Sequence, residues 1–134
     1  MNFKPKSGRG RRLDRYDFSV TRKRAHNITF SQSFSNTLRE EGMHKADIML
    51  DDSTGEVVIA FSADKGLKLV GKARNAWEAD KGGDYHNLCV SNKQAVEWIF
   101  LKMRIKEDYA VLQLSDNLSN EPGIRYHKIT GRKR

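Results

Sequence analysis

ITFSQSFSNTLREEGMHKADIMLDDSTGEVVIAF, residues 28–61, changes its period twice, and those changes set the fold class. Ile28-Thr29-Phe30 is a short β-prone run. Ser31 or Ser33 can then cap a helix that carries Phe34 and Leu38 four residues apart and closes at Gly42. Beyond it Ala46, Ile48 and Leu50 alternate with Asp47 and Met49. Asp51-Asp52-Ser53-Thr54-Gly55 supplies turn chemistry, and Val57, Ile59 and Phe61 alternate on the return. The reading is strand, capped helix, hairpin, with Leu67 to Val70 as a further strand.

Residues 88–129 repeat that order. Leu88-Cys89-Val90 is β-prone, and Ser91 with Gln94 forms a capping box. The helix that follows places Val96, Ile99, Phe100 and Met103 on one stripe, broadened by Trp98, Leu101 and Ile105, which predicts a helix at the centre of the core. Tyr109 to Leu114 reads as a strand, 115–122 as a loop, and Gly123 to Ile129 as a returning strand. Tyr16 and Phe18, alternating with Asp17 and Ser19, suggest an extra strand with edge packing. The expected fold is α+β: a duplicated strand-helix-hairpin unit, about 26–70 and 86–129, forming a small barrel or curved antiparallel sheet.

The stretch from Ile28 to Phe61 resembles the AbrB-like swapped-hairpin DNA-binding family, whose pattern is a short strand, a helix ending near a Gly, an Asp-containing strand and a hairpin. Ser31 stands where that family usually has Pro. The resemblance implies a pseudo-dimer of two units in one chain and contact with duplex DNA. A weaker resemblance, in organisation alone, is to small phage-type single-stranded-DNA-binding proteins of the coactivator and whirly kind.

Charge separates the chain further. The 134 residues carry 25 Lys and Arg against 17 Asp and Glu, a net +8. Residues 1–24 account for +7 and residues 128–134 for +4, so the stretch between them is mildly acidic. Residues 1–12 have one sizeable apolar group, Phe3, and are expected to form a disordered basic arm. The expected division is a largely flexible arm over 1–24, one domain over 25–129 and a basic tail over 130–134. An arm of this kind suits a polyanion, because each neutralised phosphate releases counterions. The longest apolar run, Trp98 to Leu101, is far below the roughly 20 residues of a membrane span. A single cysteine, Cys89, leaves no disulfide framework, in keeping with the cytoplasm.

Within the body, Lys68, Lys72 and Arg74 lead toward Trp77 in a polar context. A basic rim beside an aromatic plate is the arrangement used on single strands, where a stacked base contributes about 1–3 kcal/mol; a loop tryptophan folded onto the core is the competing role. Arg22, Lys23 and Arg24 directly precede the first strand and would hold register on a phosphate backbone, while Arg9, Arg11, Arg12, Arg15, Arg132, Lys133 and Arg134 would supply charge. His26, His44, His86 and His127 show no metal-ligand spacing, and Asp47, Asp51 and Asp52 read as hairpin chemistry. The sequence therefore points to a protein without catalysis, metal or cofactor. It would bind nucleic acid, DNA ahead of RNA, as a single-strand binder or a transcriptional regulator. An adaptor docking on an acidic machine such as a polymerase, nuclease or ribonucleoprotein is the alternative, and a swapped or strand-paired homodimer fits either.

Overall fold

The computed structural model describes residues 13–72 and 87–133, apart from the side chain of Lys72. The described elements are β1 (Asp17–Thr21), β2 (Asn27–Phe30), α1 (Gln32–Glu40), β3 (Lys45–Leu50), β4 (Val57–Ser62), β5 (Leu67–Lys68), β6 (Val70–Lys72), β7 (Asn87–Ser91), α2 (Lys93–Lys102), β8 (Tyr109–Leu114) and β9 (Arg125–Arg132). The fold is α+β, as expected. None of its described helices is long and apolar enough to cross a membrane.

The strands form one sheet in the order β5-β3-β4-β9-β8-β1-β2-β7-β6, with every neighbouring pair antiparallel. The two outermost strands are one piece of chain. β5 pairs with β3, β6 pairs with β7, and only Leu69 separates them, its N–H donating to the His44 carbonyl at 2.9 Å. The run read as one strand therefore changes partners midway and nearly closes the sheet into a barrel. Gly66 makes the approach to β3 feasible. Its φ is +112°, and a Cβ there would lie 2.4 Å from the Ala46 carbonyl oxygen.

The chain pairs in a regular way. β2 precedes α1 and β7 precedes α2; these two strands pair with each other, and the hairpins that follow the helices meet through β4 and β9. β1 lies between β2 and β8 with Phe18 fully buried, so it is an interior strand and not edge packing. Residues 17–21 and 130–132 thus belong to the sheet, although the charge pattern placed them in the arm and tail.

α1 is built as its sequence indicates. Ser31 is the N-cap, its Oγ accepting the Phe34 N–H at 3.1 Å, worth about 1 kcal/mol, and Gly42 takes φ +72° just past the helix end. α2 is capped by Asn92, whose Oδ1 accepts the Ala95 N–H at 2.9 Å. Ser91 stays in β7 and donates to Asn27 Oδ1 instead. Val96, Ile99, Phe100 and Ile105 are buried and Trp98 and Met103 pack against them, but Leu101 points outward, 71% exposed.

Both helices bury their apolar stripes in one core cluster, and α1 supplies its aromatic centre. Phe34 meets Phe30 from β2, Phe61 from β4 and His127 from β9 with ring centroids 5.1–5.8 Å apart, joining strands from distant parts of the ring. On β9 the inward residues are Arg125, His127 and Ile129, while Tyr126 faces out. This polar insertion is satisfied internally. Arg125 Nη1 donates to Glu41 Oε1 and Oε2 at 2.9 and 2.8 Å, and Arg125 Nε donates to His127 Nε2 at 3.1 Å. His127 Nδ1 then donates to the Ser115 carbonyl at 2.7 Å, a network that assigns the neutral Nδ1–H tautomer.

Burial pushes the His127 pKa below the usual histidine value, and the Arg125 guanidinium adds to that shift. The neutral ring is the folded form, so its contribution to stability is complete above about pH 6.5 and declines as pH falls through that value toward the lower folded one. The melting temperature should fall between about pH 7 and pH 5, and His127→Gln should flatten that dependence. Gly66→Ala should cost more than about 1 kcal/mol in urea unfolding, since the obstructing atoms are backbone.

Candidate nucleic-acid interface

The turn between β1 and β2 carries Arg22, Lys23 and Arg24, with Arg24 at φ +71° and the Ala25 N–H bonded to the Lys23 carbonyl. Arg22 turns inward from this triplet. Its N–H donates to the Asp108 carbonyl at 3.1 Å and its Nε to Asp108 Oδ1 at 3.3 Å. Its Nη1 reaches Glu97 Oε1 at 3.4 Å, and the guanidinium sits 4.5 Å from the centre of the Phe100 ring. Arg22 is therefore a clamp between the β1–β2 turn and the segment joining α2 to β8, and not a residue presented to phosphate. His26 strengthens the join, with Nε2 3.0 Å from Glu97 Oε2 and its carbonyl accepting the Asn92 N–H.

The clamped segment is itself basic. Ile105 is buried, its N–H bonded to the Phe100 carbonyl at 3.0 Å, and it anchors exposed residues on both sides: Arg104, at φ +55°, and Lys106. Lys102 lies beside them with Nζ 5.7 Å from the centre of the Trp98 ring. The acids nearby are already engaged, Glu97 and Asp108 by Arg22, and Glu107 by Arg132 at 3.0 Å. Lys23, Arg24, Arg104 and Lys106 are left with no side-chain hydrogen bond or ion pair among the described residues. The sequence identifies the first pair. Lys102, Arg104 and Lys106 are missed because the helix pattern around them reads as core.

A second group forms where β5 meets β3. Lys68 is exposed, as its alternation with Leu67 and Leu69 indicates, and directly opposite it in the register stands Lys45. Like charges so placed repel, and neither has a carboxylate partner among the described residues. Lys65 is exposed in the preceding turn. Lys72 ends β6, and its side chain is not among those described; Arg74 and Trp77 lie outside the described residues, as do Arg9, Arg11, Arg12 and Arg134.

Arg15, Arg132 and Lys133, the other described residues that the sequence marks for charge, have structural partners. Arg15 Nη2 donates to Thr37 Oγ1 at 3.2 Å, with its guanidinium 5.4 Å from the Tyr16 ring centre. Lys133 lies between Asp14 and Asp17, with Nζ 2.6 and 2.5 Å from their carboxylates, which raise its pKa above the usual lysine value. Asp17 is buried, so this pair ties the last described lysine to the start of β1. It also brings the beginning and the end of the described chain together.

The split between clamp and free cations can be measured by urea unfolding. Arg22→Ala should destabilise by about 1–3 kcal/mol through loss of its ring contact and ion pairs, whereas Lys23→Ala and Lys106→Ala should stay within about 0.5 kcal/mol of the parent.

In comparison with known proteins, the chain matches no family model, no curated protein and no solved structure.

Proposed function

We propose that the protein binds nucleic acid without catalysing a reaction on it, DNA ahead of RNA, as a single-strand binder or a transcriptional regulator. The observation that carries this reading is the Arg22 clamp. It holds two basic loops against each other and engages two of the neighbouring acids, so that Lys23, Arg24, Arg104 and Lys106 stand on adjoining loops whose backbones are joined. Cations carried on joined loops can position a phosphate backbone, whereas the basic chain ends supply charge. The described chain begins and ends in one neighbourhood, marked by the contact between Lys133 and Asp14.

We further read the domain as two copies of one strand-helix-hairpin unit. Its support is the pairing pattern: β2 with β7 and β4 with β9 join equivalent parts of the two halves, and β1 and the 67–72 segment each bridge a strand of one half to a hairpin of the other. A paired unit of this kind offers two related faces, as a swapped-hairpin pseudo-dimer would.

Fluorescence anisotropy with labelled oligo-dT and a duplex of equal length, at several salt concentrations, tests the reading. Binding to at least one should weaken linearly in log salt. Lys23→Ala and Arg104→Ala should each reduce the magnitude of that slope by about 0.7–0.9 while leaving the melting temperature unchanged. Binding that is absent, or indifferent to salt, would overturn it.

A further inference from the structure

On another part of the barrel a depression of about 360 Å³ opens between the β3–β4 hairpin and the loop joining β8 to β9. Met49, Leu50 and Val58 line one side, and Leu118 and Tyr126, 52% and 37% exposed, the other. Its surroundings are acidic. Residues 46–62 and 115–124, which wall the groove, contain six carboxylates and no Lys or Arg. The one lysine on its lining, Lys128, is held by Glu56 at 2.8 Å. Asp51, on the rim, accepts from the Ser53 N–H and Oγ, and those bonds hold its carboxyl below the usual range. An apolar groove with a negative rim repels nucleic acid and selects a basic segment that carries an apolar side chain.

The chain contains such a segment. Residues 1–12 have five Lys and Arg, no acid, and Phe3 next to Lys4. The described chain begins near the groove: the Tyr16 carbonyl accepts the Leu114 N–H, and the next residue, Ser115, bonds through its N–H to the carbonyl of Lys128. Twelve residues at about 3.3 Å each can span about 40 Å, ample to reach it. We propose that the basic N-terminal segment of this same chain docks in the groove, with Phe3 on the apolar floor and its cations against Asp51, Asp52 and the loop carboxylates. The groove then holds the arm when no polyanion is present and competes with any polyanion for it. The docking itself does not rest on the nucleic-acid reading.

A nitroxide at position 7 (Ser7→Cys; Cys89 is buried) on the full-length ¹⁵N-labelled protein, with no nucleic acid present, reads the contact directly. The amides of Leu118, Tyr126 and Lys128 should broaden at low salt. Phe3→Ala should relieve most of the broadening with the melting temperature unchanged, as should Asp52→Asn with Glu121→Gln. Broadening that persists undiminished, per spin-labelled molecule, in mixtures of spin-labelled ¹⁴N protein with ¹⁵N protein lacking the nitroxide would assign the groove to a second copy's arm and overturn the proposal. No broadening at these amides, or broadening indifferent to both sets of variants, would also overturn it. Failure of nucleic-acid binding would appear in the anisotropy measurement and leave the broadening intact.

Discussion

The structure depends on one segment of six residues serving two strands at once. Residues 67–72 pair with β3 through β5 and with β7 through β6, and the backbone contact at Leu69 carries the chain from one partner to the other. Without that double pairing, β3 and β7 would be sheet edges carrying unpaired N–H and carbonyl groups. With it, nine short strands, each too weak to stand alone, enclose a common interior. Gly66 is the local requirement, because only a residue without Cβ can lie against the Ala46 carbonyl.

A near-closed sheet of this size must be filled, and both helices contribute to filling it. Phe34 is in ring contact with residues of β2, β4 and β9, so the helix that follows the first strand becomes the common partner of strands far apart around the ring. The same interior admits a polar chain, Glu41 to Arg125 to His127 to the Ser115 carbonyl. Every link there has a partner, which is the condition under which buried polar groups are tolerated. That chain also ties the end of α1 to β9 and to the loop that walls the acidic groove.

Electrostatically the barrel sorts its charges by pairing some and leaving others. Arg22, Arg132 and Lys133 are consumed by Glu97, Asp108, Glu107, Asp14 and Asp17. The exposed members of such pairs add little stability individually. The Arg22 and Arg132 pairs engage the acids next to Lys23, Arg24, Arg104 and Lys106, while Asp51 and Asp52 remain on the lining of an apolar groove. Among the described residues a mildly acidic body thus shows unpaired cations at the Arg22 clamp and where β5 meets β3, and carboxylates at the groove.

Local features of the chain were legible in its sequence because local physics sets them. The Ser31 cap, the Gly42 stop, the Asp51 turn, the exposed Lys68 and the α+β class all follow from hydrogen-bonding groups and periodicities within a few residues of each other. What the tertiary structure alone decided lies at long range. Nothing near Arg22 announces Asp108, 86 residues away, and nothing near Arg125 announces Glu41, 84 residues back. The exchange of Ser91 for Asn92 as the α2 cap depends on Asn27 claiming the serine hydroxyl across the β2–β7 pair. Leu101 is apolar on a helix whose buried stripe is already complete, and closure leaves it outside. Periodicity reports how a residue's neighbours repeat; which charges are spent and which are free is settled only when distant strands meet.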